Sequence, residues 1–138
     1  MLHHLSFGVL SLEDSGRLYD AALAALGLRR VFEDDTAIGY GAVDEEDVFC
    51  LKQRENASPP GPGFHLAFAA PDRAAVDAFH AAAISAGGRD NGPPGLRPDY
   101  GPHYYAAFVI DLDGHHVEAV FKGAEKTLTP PSPASGRG

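Results

Sequence analysis

The 138 residues carry 11 Lys and Arg against 19 Asp and Glu, a formal charge of −8. That balance repels phosphate backbones, and no apolar run is long enough for a bilayer, so neither nucleic acid nor membrane is an expected partner. With 44% apolar residues, a chain of this length can bury one real core. The start, Met1-Leu2-His3-His4-Leu5-Ser6, lacks the basic and apolar regions of a secretory signal. The single cysteine, Cys50, cannot form an internal disulfide, and both features suit a cytoplasmic location. Seven histidines are many for so short a chain, and their positions decide which of them matter.

Residues 3–9 alternate, with Leu5, Phe7 and Val9 on one face and His4, Ser6 and Gly8 on the other, the period of a half-buried strand. Ser11 opens a helix whose Leu18, Tyr19, Ala22, Leu23 and Leu26 fall at helical spacing, and Gly27 closes it. Short apolar runs near 29–33, 36–42 and 47–53 read as three strands. Residues 56–63, rich in Pro and Gly, form a connector.

The pattern then repeats. Phe64-His65-Leu66-Ala67-Phe68-Ala69 restates the His-Leu-small-Phe-small order of His4 to Gly8. Pro71-Asp72 begins a second helix with Val76, Phe79, Ala83 and Ile84 on its apolar face, ended by Gly87-Gly88. Residues 90–103 hold too much Gly and Pro for a regular element and read as a lid-like loop. Tyr104 to Ile110 is a strand, Asp111-Leu112-Asp113-Gly114 a turn, and His115 to Phe121 the last strand. His3 and His80 read as surface residues. The reading is one domain over 1–122, built from module one (3–54) and module two (64–122). An irregular tail follows over 123–138, expected to order on a partner subunit.

A strand–helix–strand–strand–strand unit used twice, with His in each first strand and a Glu shortly after a D-x-D-G turn, resembles the vicinal-oxygen-chelate superfamily of glyoxalases, bleomycin-resistance proteins and ring-cleaving dioxygenases. The carrying segments are His4 to Val9, Phe64 to Phe68 and Asp111 to Ala119. The resemblance implies an α+β fold in which two βαβββ modules form a half-open eight-stranded barrel around a cleft. It also implies one divalent metal ion (Zn, Ni, Mn or Fe(II)) held by His4, His65 and Glu118. The residues support this on their own terms. Alternation places both histidines on the small, polar side of their strands, and Glu118 lies between Val117 and Ala119, where an unpaired carboxylate would be costly. Two imidazoles and a carboxylate with open positions suit chemistry on a chelating substrate.

Matching the strand at Asp47-Val48-Phe49-Cys50-Leu51 to His115-His116-Val117-Glu118-Ala119 sets Cys50 opposite Glu118, where glyoxalase I proper has a second carboxylate. Little isomerisation of a hemithioacetal is therefore expected. Phe108 stands where ring-cleaving enzymes of the superfamily place a Tyr, and Tyr104, on the same face, is a candidate proton donor alongside Glu118. Ser6, Cys50, Arg97, His103 and Phe108 are candidate substrate contacts. The leading expectation is a metal-dependent lyase or isomerase acting, as a homodimer, on a small metabolite with vicinal oxygens. An Fe(II)-dependent extradiol dioxygenase and a metal-free, drug-sequestering binding protein are the alternatives.

Overall fold

Period-two alternation in Leu5–Val9 makes strand β1 and sinks Phe7 and Val9 into the core. The helix that follows, α1 (Leu12–Ala24), starts where Ser11 Oγ accepts the Asp14 amide at 3.1 Å, and it buries Leu18, Tyr19, Ala22 and Leu23. Gly27 turns the chain at φ 87°. Strands β2 (Arg29–Glu33), β3 (Ala37–Gly41) and β4 (Phe49–Gln53) complete a four-stranded sheet in the order β1-β4-β3-β2, with β1 parallel to β4.

Module two repeats this plan. Strand β5 (Leu66–Ala69) leads to α2 (Arg73–Ser85), capped by Asp72 Oδ1 on the Ala75 amide at 2.8 Å. Strands β6 (Arg89–Asp90), β7 (Gly95–Leu96), β8 (Tyr105–Ile110) and β9 (His116–Phe121) follow. The order is β5-β9-β8-β6, with β7 also pairing to β8 and β5 parallel to β9. The loop over 90–103 is therefore more regular than its composition suggests, carrying β7 and a 3-10 turn at Pro98–Tyr100. Ile84 does not share the apolar face of α2. It stands about 80° round the helix from Val76 and is exposed. His80 is half-buried rather than on the surface, with Nε2 2.9 Å from Asp90 Oδ1. The two sheets stay open, as a half-open α+β arrangement requires.

The computed structural model describes residues 1–124, so nearly all of the expected tail lies outside the described residues. No helix within the described part is long and apolar enough to cross a membrane.

The modules meet along α1 and α2, and a buried polar cluster ties them. Asp111, in the β8–β9 turn, accepts at Oδ2 from the Tyr19 hydroxyl of α1 (2.6 Å) and from His115 Nδ1 (2.9 Å). Its Oδ1 accepts the backbone amides of Asp113 (3.0 Å) and His115 (2.9 Å). A carboxylate only accepts, so the proton of that imidazole sits on Nδ1. The His115 ring stacks flat on Phe7 of β1, centroids 4.0 Å apart and planes 4° from parallel. Asp113 adds two more ties to module one, accepting the Leu10 amide at 2.9 Å and the Ser15 hydroxyl at 3.2 Å.

Burial alone would push the Asp111 carboxyl up, but the hydrogen bonds from His115 and Tyr19 outweigh it and hold the group below the ordinary value of 3.8. The unfolded chain takes up that proton more readily. The stability Asp111 contributes is therefore complete above about pH 4 and is lost as pH falls through the lower folded value. Asp111→Ala should destabilise the fold by about 3–5 kcal/mol at neutral pH, since it strands buried donors. In urea titrations at a series of pH values, Asp111→Asn should lose stability less steeply than wild type below pH 4. Matching slopes for the two proteins would show that Asp111 does not tie the modules electrostatically.

Candidate functional site

The register of the two sheets places equivalent residues in equivalent positions. Ser6 pairs with Cys50 between β1 and β4, and Ala67 pairs with Glu118 between β5 and β9. Gly39 faces Cys50 across β3–β4 just as Phe108 faces Glu118 across β8–β9. Cys50 is thus the spatial counterpart of Glu118, and each module carries half of a possible site on the side of its sheet opposite the helix.

On module two these groups line a cavity of about 580 Å³. Val117 and Ala119 point into the core, so the alternation of β9 turns Glu118 toward the cavity while leaving its side chain only 1% exposed. Oε1 of Glu118 lies 3.0 Å from His65 Nε2, and Oε2 accepts the Tyr104 hydroxyl at 2.5 Å. Burial and the bond to Glu118 push the Tyr104 phenol up to about 12, so it keeps its proton at neutral pH. Phe64, Tyr100 and Phe108 supply apolar walls, and Asn91 and His116 add polar ones. This is a pocket with few, convergent polar groups, the form small-molecule sites take.

On module one, His4 is exposed just ahead of β1, its Nδ1 2.8 Å from Nδ1 of His3. The Cys50 thiol donates to Asp47 Oδ2 at 2.7 Å, and Ser6 neighbours the same sulfur. Burial, then the bond to Asp47, pushes the thiol up to about 11, so Cys50 stays a neutral donor at neutral pH. The same bond, helped by the nearby His4 and His3 rings, holds the Asp47 carboxyl below its ordinary value.

Of the expected metal donors, the structure brings His65 and Glu118 together and leaves His4 on the other sheet. Among the described residues no three His, Cys, Asp or Glu side chains converge closely enough to hold a metal ion. The donors of one chain nevertheless suit a divalent ion in pairs: an imidazole nitrogen and a buried carboxylate oxygen meet at the cavity wall with room in front of them.

Other expected contacts sort by position. Tyr104 and Phe108 line the cavity, while Ser6 and Cys50 lie on the module-one face. Arg97 supports the wall from behind, its guanidinium 5.2 Å over the Phe108 ring and its Nη2 donating to the Pro93 carbonyl at 2.6 Å. His103 is exposed and does not line the cavity. Sequence reasoning missed Tyr100 and Asn91 of the cavity wall and the contact of Asp47 with Cys50. The loop over 90–103 hid the first two. The alternating glycines of Ala37-Ile38-Gly39-Tyr40-Gly41 were the available sign that something lies across β3.

A sequence profile of the glyoxalase/bleomycin resistance protein/dioxygenase superfamily matches residues 1–119. Among solved structures, a glyoxalase/bleomycin resistance protein from Albidiferax ferrireducens is similar at 33% identity and TM-score 0.77, over 89% of this chain and 99% of that one. A glyoxalase-related enzyme from Fulvimarina pelagi shares the fold at 23% identity and TM-score 0.69, over 92% and 95% of the two chains. A glyoxalase I mutant from Zea mays does so at 23% identity and TM-score 0.68, this chain matching 46% of that longer one. No curated protein matches the chain. With the duplicated register, the open sheets and the profile match in agreement, the chain belongs to the glyoxalase/bleomycin resistance protein/dioxygenase superfamily.

Proposed function

We propose that this protein is a divalent-metal-dependent enzyme of glyoxalase type, acting on a small metabolite that presents vicinal oxygens. We further propose that its working unit is a homodimer in which the module-one face of one subunit closes the module-two cavity of the other. The observation that carries the reading is the buried Glu118 carboxylate turned onto His65 at the wall of a largely apolar cavity. A carboxylate so placed is costly without a cation or strong donors, and the two neighbours it has leave coordination open on the cavity side. His65 and Glu118 would hold the ion from one subunit and His4 from the partner. Two-fold symmetry then gives two identical sites per dimer.

A bound divalent ion supplies Lewis-acid polarisation of substrate oxygens. The rest of the chemistry falls to the chain. Phe64, Phe108 and Tyr100 exclude water and hold a small, flat substrate against the donors, which strengthens every polar contact inside. The Tyr104 hydroxyl keeps its one proton and donates it to Glu118 at 2.5 Å; with a cation on that carboxylate it would be free to turn the same hydrogen bond to a substrate oxygen. Arg97 keeps Phe108 in place from the loop side.

Elemental analysis after loading with divalent metal and desalting should find about one ion per chain in the wild type. His65→Ala should lose it while the circular dichroism spectrum stays unchanged. Equal occupancy in wild type and His65→Ala would defeat the metal assignment, and a wild type that retains no ion would favour the metal-free sequestering role. Light scattering at micromolar concentration should give the mass of a dimer, and a monomer that still binds the ion would reject the shared cleft.

A further inference from the structure

The register position opposite Glu118 belongs to Cys50, so the strand itself offers no second carboxylate. The space tells otherwise. Strand β3 presents Gly39 and Gly41 on the face that bears Cys50, and the β3–β4 turn folds down onto them. A Cβ on Gly41 would come within 2.3 Å of the Glu46 carbonyl oxygen, and one on Gly39 within 2.9 Å of Asp47 Cβ. The two glycines form a shelf, and the half-buried Asp47 side chain lies across it. The bend at Val48 matters here, since an unbroken strand would alternate and point residue 47 and residue 50 to opposite faces. Once on the shelf, the carboxylate is held by the Cys50 thiol at 2.7 Å.

Module two shows the trade that has been made. There a large residue, Phe108, fills the place of Gly39, and the carboxylate Glu118 fills the place of Cys50. In module one the bulk is removed at position 39, a short donor stands at position 50, and the turn delivers the acid.

We propose that Asp47 is the carboxylate which module one brings to the composite cleft. It would act as a metal donor beside His4, with Cys50 as the positioning residue that aims it and Gly39 as the residue that admits it. Each module then offers one imidazole and one carboxylate, His65 with Glu118 and His4 with Asp47, and the two pairs complete a four-donor set only across subunits. The inference rests on the shared-cleft reading above.

Co(II) serves as the probe, with the dimer titrated by calorimetry and its visible absorption recorded. Asp47→Asn keeps the shape of the side chain and removes its charge, and it should weaken Co(II) binding at least about tenfold. Gly39→Ala should weaken it in the same direction by crowding Asp47 off the shelf, with a thermal melt confirming the fold. Cys50→Ser retains a hydrogen-bond donor and should bind near the wild-type level, and the wild-type spectrum should lack a sulfur-to-cobalt charge-transfer band. If His65→Ala weakens binding while Asp47→Asn matches wild type, the role of Asp47 is overturned and the shared metal site survives. A sulfur-to-cobalt band that vanishes in Cys50→Ser would likewise overturn it, making Cys50 the donor. If His65→Ala binds as tightly as wild type, the metal reading falls and the proposal with it.

Discussion

The contacts around Asp111 decide how the duplicated halves of this chain are used. One carboxylate, sealed between the modules, gathers a helix hydroxyl, an imidazole and two backbone amides. Each such bond contributes only about 1 kcal/mol net, but each donor left unpaired in that position would cost more than the bond contributes. The cluster is therefore sensitive to small displacement, and with the Phe7–His115 stack it fixes one relative placement of the modules. That placement sets helix against helix and leaves the two donor-bearing sheet faces apart. The division of His4 from His65 and Glu118 follows from this tie. A metal site using all three donors would need a second subunit for the same reason.

Duplication explains both the symmetry and the asymmetry of the two sheet faces. The register is the same in the two sheets, so the same positions face the same way, yet evolution need not preserve the same residues there. At the Glu118 position the acid comes from the strand and is buried to 1% exposure, braced by Tyr104. At the Cys50 position it comes from a turn, remains half-buried, and is braced by a neutral thiol. A buried strand carboxylate is rigid and strongly dependent on its partners, whereas a turn carboxylate over glycines can adjust. In the proposed composite cleft the two halves would offer one fixed and one adaptable acid.

Much of this was readable from residue order alone, and the limits have physical causes. Alternation and helical spacing depend on neighbours in sequence, so β1, α1, β5, α2 and the Cys50–Glu118 equivalence could be read to within a residue or two. The convergence of His65 on Glu118 could be anticipated because parallel pairing of first and last strands recurs in both modules. His115 was a different matter. Its burial depends on Phe7 and Tyr19, about a hundred residues away, and the turn sequence beside it gives no sign of them. Asp47 escaped because strict alternation assigns it to the wrong face, and only the bend at Val48 and the bare Gly39–Gly41 surface reverse that. Arg97 looked like a substrate contact because a cation in a loop usually meets solvent or ligand. Here it is spent on a ring and a carbonyl.

The claim that a working site is assembled from two subunits can be tested by mixing two inactive parents. His4→Ala and Glu118→Ala dimers should each bind Co(II) poorly, because every site in them lacks a donor. After subunit exchange, each mixed dimer should hold one site missing both donors and one with all of them restored. For an equal mixture roughly one quarter of the sites should regain wild-type affinity, half of the dimers being mixed and half of their sites intact. Recovery at that level is the result the shared cleft requires. No recovery, with exchange verified by mass labelling of one parent, would place the whole site within a single chain and contradict the account.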